Sequence, residues 1–216
     1  MRQYRLLDLF CGAGGATKGY QQVGFYVVGV DIKPQPHYCG DEFYQADALT
    51  FPLEGYDAYH ASPPCQAYTR LTPPEYRQNH PDLIESVQLA LRATGRPYVI
   101  ENVPDALSLL ENPLLLCGTM FGLRTHRHRL FEIRPAYYPL LPKCARIRKP
   151  IVVSGTTRRK SGRLEYPVSA ARVAMGISWM TRNELDDAIP PAYTEYIGKY
   201  LMQALKVDIE ESKHSN

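Results

Sequence analysis

Four short stretches of the chain carry side chains that can do chemistry. Cys65 stands in Ser62-Pro63-Pro64-Cys65-Gln66, where an apolar run gives way to a polar one. A thiol acts as a nucleophile only when it is reachable and partly thiolate. A lone cysteine is more often a small buried hydrophobe, but here two prolines fix the backbone approach and a long polar loop follows, which turns the thiol toward a cleft. Glu101 follows the apolar run Tyr98-Val99-Ile100. A carboxyl group partly removed from water there has a raised pKa and can hold a proton near neutrality; an ordinary strand-end glutamate fits the same place. Arg127 and Arg129 alternate with His126 and His128, so in a strand both arginines point to one face, as paired donors or as a solvated basic edge. The fourth stretch is Gly12-Ala13-Gly14-Gly15, with Asp31 about 20 residues beyond it.

The elements that must position these groups follow from hydrophobic patterning. Leu6 to Phe10 reads as a buried strand, Ala16 to Gln22 as a helix closing at Gly24, and Phe25 to Val30 as a second strand ending in Asp31. Strand, glycine turn, helix, strand and acid open a nucleotide-binding unit: backbone N–H groups approach the ligand at a positive helix terminus, and the acid binds ribose hydroxyls. NAD would serve as well as S-adenosylmethionine, except that Thr17 stands where a third glycine would complete G-x-G-x-x-G. Asp47, in Gln45-Ala46-Asp47-Ala48, follows an extended segment and reads either as an acceptor for an adenine amino group or as a solvated loop aspartate. Further strands are expected at 58–61, 98–100, 130–133 and 151–153. A long functional loop is expected at 67–80, a helix from Pro81 toward Gly95, and a closing helix through Tyr193, Ile197, Leu201 and Ala204.

Taken in order, Asp8-Leu9-Phe10-Cys11-Gly12-Ala13-Gly14-Gly15, Pro64-Cys65-Gln66, Glu101-Asn102-Val103, Arg127-His128-Arg129 and Ala188-Ile189-Pro190-Pro191 resemble the DNA cytosine-5 methyltransferases, in a short form. The resemblance implies a Rossmann-like S-adenosylmethionine-dependent methyltransferase fold: an α/β, mostly parallel, doubly wound sheet with a small basic insertion. It implies a cofactor site from Phe10 (stacking on adenine), Cys11, Gly12, Ala13, Gly15, Asp31 (holding ribose), Ile32, Asp47 (taking the adenine amino group), Ala48, Pro64, Asp187 and Ala188. Cys65 would attack carbon 6 of a flipped cytosine, Glu101 would bond N3 and the exocyclic amine, Arg129 would reach the base carbonyl, and Arg127 would organise the site. Three departures stand out. Thr125 replaces a common Gln, Asp186-Asp187 replaces Gly-Asn, and only about 35 residues are available for target recognition.

The 216 residues, 44% hydrophobic and 22% charged, fit one globular domain. Its expected parts are a core at 1–133, a basic insertion at 134–168, a return to the core at 169–207 and a disordered tail at 208–216. Arg146, Arg148, Lys149, Arg158, Arg159, Lys160 and Arg163, with Gln66, are the expected nucleic-acid contacts; phosphate contacts carry affinity rather than sequence information. Five cysteines form no C-x-x-C pair, so neither a zinc site nor a disulfide framework is expected. The short apolar run at the N-terminus fits no signal peptide or membrane span, and a bacterial cytoplasm, for a phage or mobile-element methyltransferase, is the expected setting. The expected partner is double-stranded DNA, with S-adenosylhomocysteine as cofactor product. Cytosine-5 methylation of RNA, a catalytically weak nucleic-acid-binding protein and a nicotinamide enzyme are the rival readings.

Overall fold

A computed structural model describes residues 2–70, 72–153 and 166–214. Seven strands, β1 (Arg5–Leu9), β2 (Tyr26–Asp31), β3 (Glu42–Gln45), β4 (Ala58–Ala61), β5 (Tyr98–Asn102), β6 (Leu114–Leu116) and β7 (Arg129–Arg134), form one sheet in the order β3-β2-β1-β4-β5-β7-β6. The first five in that order are parallel. β7 runs antiparallel to β5, and β6 antiparallel to β7. The helices are α1 (Gly15–Gln22), the single turn α2 (Pro74–Arg77), α3 (Ile84–Ala93), α4 (Val168–Met175), α5 (Arg182–Asp187) and α6 (Pro191–His214).

The strands are apolar on both faces because both faces are covered. Successive residues go to opposite sides: Leu6, Val27, Ala58 and Val99 pack with Tyr20 of α1 and Tyr193, Ile197 and Leu201 of α6. Leu7, Val28, Tyr59 and Ile100 pack with Ile84, Val87 and Leu91 of α3. This period of two is the alternation of a pleated strand, and it makes the sheet doubly wound. Among the described residues no helix is long and apolar enough to cross a membrane.

The last helix reaches the sheet by lying directly on the first. A Cβ on Gly15 would meet the Ile189 carbonyl, and one on Gly19 would meet the Pro191 carbonyl and the Thr194 hydroxyl. That hydroxyl, fully buried, donates to the Ala16 carbonyl at 2.7 Å. The missing side chains therefore let a backbone–side-chain hydrogen bond form between two helices.

Several expectations are corrected. The helix expected from Pro81 begins at Ile84. The Tyr68 hydroxyl accepts from Leu83 N–H at 3.1 Å and donates to Asp82 at 2.5 Å, so a distant side chain caps the helix start. Residues 151–153 form no strand: Ile151 N–H donates to the Arg124 carbonyl at 2.8 Å, and Ile151 and Val153 are buried against Ala13 and helices α4 and α5 instead. The loop at 67–80 contains α2, and β6 pairs with β7 although only three residues long. The final helix spans Pro191–His214.

Gly19→Ala should lower unfolding free energy by about 1–3 kcal/mol, since the new methyl meets backbone and an ordered hydroxyl rather than a flexible side chain. Urea unfolding of the two proteins measures this, and an unchanged midpoint would mean that the helices are not packed as closely as described.

Candidate active site

In an open α/β sheet ligands bind at the carboxyl ends of the strands. β1 delivers Phe10 to Gly15 there, β2 delivers Asp31 and Ile32, β4 delivers Ser62 to Gln66, and β5 delivers Glu101 to Val103. The reversed β7 brings Arg127 and Arg129 to the same edge from its beginning. All of these but Gly14 line one cavity of about 700 Å³, joined by Asp187 and Ala188, a size suited to a small-molecule site.

At one end the chain leaves β1 through a compact turn. Phe10, Gly12 and Gly14 take φ of 60°, 50° and 84°, a conformation that glycine adopts freely and phenylalanine rarely. The strained Phe10 lies on the cavity wall. Gly12 N–H donates to Asp31 Oδ2 at 3.0 Å, and Lys33 N–H donates to Oδ1 at 2.9 Å. The Asp31 carboxylate is thus oriented by two backbone amides, with lone pairs left for a diol. Ile32 beside it is 66% exposed, an apolar surface facing the cavity. Trp179 Nε1 donates to the Ala13 carbonyl at 2.9 Å and holds the turn from outside. Cys11, Gly12, Ala13, Gly15 and Pro64 also line the cavity, whereas Asp47 and Ala48 do not. Asp47 accepts from Leu49 N–H at 2.9 Å, closing its own turn, and Ala48 is buried in the core.

At the other end Cys65 is half-buried. Its carbonyl accepts from Tyr68 N–H and Thr69 N–H, both at 3.0 Å. Asn102 Nδ2 donates to the Pro63 carbonyl at 3.0 Å while its Oδ1 accepts from Val103 N–H at 2.9 Å. The β5 loop therefore holds the Pro-Pro-Cys segment directly. Glu101, 5% exposed, is paired with Arg129 Nε at 3.0 Å and hydrogen-bonded by Ser62. The Ser62 hydroxyl in turn meets His60 Nε2 at 2.9 Å, and His60 Nδ1 meets the Tyr20 hydroxyl at 2.9 Å. Burial pushes His60 down to about 3, so the ring is neutral and carries one donor and one acceptor. A continuous chain of polar contacts runs from Tyr20 of α1 through His60, Ser62 and Glu101 to Arg129.

Burial raises the Glu101 pKa, against the opposing pull of Arg129, Ser62 and Arg127. Burial, then the Glu101 carboxylate, raises the Cys65 thiol, and Arg129 opposes them. Thiol, carboxyl and guanidinium are one electrostatic unit.

Arg127 departs from the expected geometry. β7 begins at Arg129, and Arg127 lies ahead of it at φ 25°. Its guanidinium donates to the carbonyls of Ala188 at 2.7 Å, Val153 at 2.6 Å and Asp186 at 2.9 Å. Burial and the charge of Arg129 lower its pKa to about 9. The two arginines do not act as a matched pair; Arg127 ties three chain segments together, and Arg129 alone pairs with Glu101.

Gln66 is exposed and lines the cavity, and the exposed Arg146, Arg148 and Lys149 lead straight into its lining residues at Pro150. Arg158, Arg159, Lys160 and Arg163 lie outside the described residues.

Sequence reasoning missed Asp8, which is fully buried in β1 and borders the cavity. Its Oδ2 accepts from the Thr17 hydroxyl at 2.5 Å, while Oδ1 has no hydrogen-bond partner among the described residues. Burial raises it to about 7, with Asp31 and Glu101 adding to the rise. An acid inside the apolar run Leu6-Leu7-Asp8-Leu9 was the available signal.

No family model and no curated protein matches the chain. Among solved structures it is similar to the Entamoeba histolytica methyltransferase EhMeth, at 12% identity and a TM-score of 0.60, covering 95% of this chain and 99% of that one. It is likewise similar to the S. pombe Dnmt2 methyltransferase, at 13% identity and a TM-score of 0.61, covering 94% and 99%. A third, described as a DNA modification methyltransferase encoded within an E. coli prophage, is 21% identical at a TM-score of 0.45, over 61% of this chain; the chain spans about half of it, 46%. The first two comparisons establish the fold as the Rossmann-like α/β architecture of methyltransferases.

Two outcomes follow from the charges. Alkylation of Cys65 by iodoacetamide, read on its own peptide, should titrate above the ordinary thiol value of about 8.5. Glu101→Gln should move that titration to lower pH; a shift upward would contradict the coupling. For Asp8, the folded value lies above the unfolded one, so its stabilising contribution is complete below about pH 4 and is lost as pH rises through about 7. Asp8→Asn should accordingly gain in thermal midpoint over the parent progressively between about pH 4 and 7, by several degrees in all. A difference that stays flat with pH would show Asp8 to be ionised throughout.

Proposed function

We propose that the chain transfers a methyl group from S-adenosylmethionine to carbon 5 of cytosine in DNA, through a covalent adduct on Cys65. The observation that carries this reading is the meeting of a thiol, a buried carboxyl group and a guanidinium at one end of a single cavity, with an amide-anchored aspartate and a glycine turn at the other. The ordered motifs and the methyltransferase fold point the same way.

The cofactor end suits an adenosyl group by its donor set. Asp31 has acceptor capacity left for two ribose hydroxyls, Phe10 and the exposed Ile32 offer apolar surface to a purine, and the turn presents backbone amides. When bound, S-adenosylmethionine supplies an electrophilic methyl on a sulfonium and leaves as S-adenosylhomocysteine.

Carbon 5 of cytosine is not nucleophilic, so covalent addition at carbon 6 divides one hard step into easier ones. The Cys65 thiolate forms the bond to carbon 6, and the electron pair displaced from the 5,6 double bond makes carbon 5 reactive. Glu101, whose pKa burial raises, takes up a proton as the base binds, donates to N3 and accepts from the exocyclic amine as charge develops on the ring. A proton on Glu101 also removes the charge that holds the thiol up, so base recognition and thiol activation are coupled. Arg129 carries the opposite charge beside both. After methylation a base removes the carbon 5 proton, the Cys65–carbon 6 bond breaks, and the thiolate is restored. A base in duplex DNA reaches a cavity of this kind only by leaving the stack. Arg146, Arg148 and Lys149 supply phosphate contacts, and the basic insertion at 134–168 reads a short or relaxed word.

The purified protein, labelled S-adenosylmethionine and duplex DNA, with tRNA in parallel, test this. The expected result is label on carbon 5 of cytosine in DNA, falling to background in Cys65→Ala. Label only in tRNA moves the substrate and keeps the chemistry. Label on an exocyclic nitrogen, or activity that survives in Cys65→Ala, overturns the covalent mechanism.

A further inference from the structure

Beside the arginine-bearing approach to β7 lies a second group of reactive side chains that the proposed chemistry does not use. Cys117 closes β6, His126 and His128 alternate with Arg127 and Arg129, and Cys144 comes from the irregular segment after β7. One donor atom from each falls within 4.8 Å of all the others. Cys117 Sγ and Cys144 Sγ each lie 3.7 Å from His126 Nδ1, and Cys144 Sγ lies 3.4 Å from His128 Nε2. The two sulfurs are 3.0 Å apart.

Tetrahedral zinc, with bonds of about 2.3 Å to sulfur and 2.0–2.1 Å to nitrogen, sets sulfur–nitrogen edges near 3.6 Å and a sulfur–sulfur edge near 3.8 Å. The three sulfur–nitrogen separations stand within about 0.2 Å of that edge. The sulfur pair needs to open by less than about 1 Å, which the exposed, irregular backbone at Cys144 allows. Two thiolates and two imidazoles form a closed donor set that matches zinc in chemistry as well as number. The surroundings are also ordered: the Thr119 hydroxyl lies 3.2 Å from Cys117 Sγ and 3.6 Å from Cys144 Sγ, and accepts from Ala145 N–H at 3.0 Å. Gly118 N–H donates to the His126 carbonyl at 2.8 Å. The imidazole rings stack, 5.8 Å apart and 19° from parallel.

We propose that Cys117, His126, His128 and Cys144 form a structural zinc site, which staples the segment after β7 to the strand approach that carries Arg127 and Arg129. The ion would join three pieces of chain: the end of β6, the approach to β7 and the segment after it. Because the histidines alternate with the arginines, fixing the former fixes the register of the latter.

The test uses the whole chain, purified without chelator, with zinc measured by elemental mass spectrometry and cobalt as the spectroscopic probe. About one zinc per chain is expected, with intense ligand-field bands of tetrahedral cobalt and a thiolate charge-transfer band after exchange. Both signals should persist in Cys65→Ala and Cys39→Ser and be lost in Cys144→Ser and His128→Asn. Cys144 is exposed, so its serine variant stays folded, and chelator should lower the thermal midpoint of the parent but not of that variant. A folded parent that binds no zinc with all five thiols titratable, a Cys117–Cys144 disulfide in the reduced preparation, or cobalt spectra unchanged in both ligand variants would each overturn the site. Metal content is read without any methyl transfer, so this result and that of the proposed activity fail separately.

Discussion

Glu101 is a carboxyl group taken out of water at the end of a fully buried strand, beside a thiol whose ionisation it opposes. Removing a charge from water is costly unless partners replace the solvent. The partners come from three elements: Arg129 from the reversed strand, Ser62 and behind it the neutral His60 from β4 and its end, and Tyr20 from the first helix. Each is held by the hydrophobic layers described above. The helix that carries Tyr20 is also the one whose glycines let α6 lie against it, so the packing of the chain's two ends bears on a carboxyl group at the centre of the sheet.

The reactive loop is fixed in a similar way. Asn102, next to Glu101, grips the Pro63 carbonyl, so the strand that presents the acid also positions the segment that presents the thiol. Arg127 satisfies three carbonyls from residues 153, 186 and 188, reinforcing the apolar packing of Val153 against Leu185 and Ala188. A buried guanidinium with five donors in one plane is suited to that task. The same cavity wall is therefore made from chain segments that are far apart in sequence and joined by one side chain.

The parts of this arrangement that are local in sequence were legible in it. A strand, a glycine turn and an acid announce themselves within the first 31 residues, and Cys65 and Glu101 are marked by the apolar runs that precede them. What depends on tertiary packing was hidden. The direction of Arg127 is set by carbonyls some 26 to 61 positions away, and alternation in a strand pointed elsewhere. Ile151 and Val153 have the composition of a strand, but their apolar side chains are satisfied by helices. The bond from Leu49 N–H to Asp47 Oδ1, which closes a local turn, is likewise invisible to pattern. Cys117 and Cys144 are 27 residues apart and meet the histidines only because β6 and β7 form an antiparallel pair.

The reversal of β7 also governs how far the chain must travel afterwards. Its six residues climb about 20 Å away from the cavity edge, yet Cys144, ten residues beyond Arg134, is already back beside Cys117 and His126. Ten residues reach at most about 35 Å, so more than half of that reach is spent on the return. Under the proposed reading, much of an already short insertion serves as a tether, and the length left for reading a nucleic-acid sequence is set by the direction of a single strand.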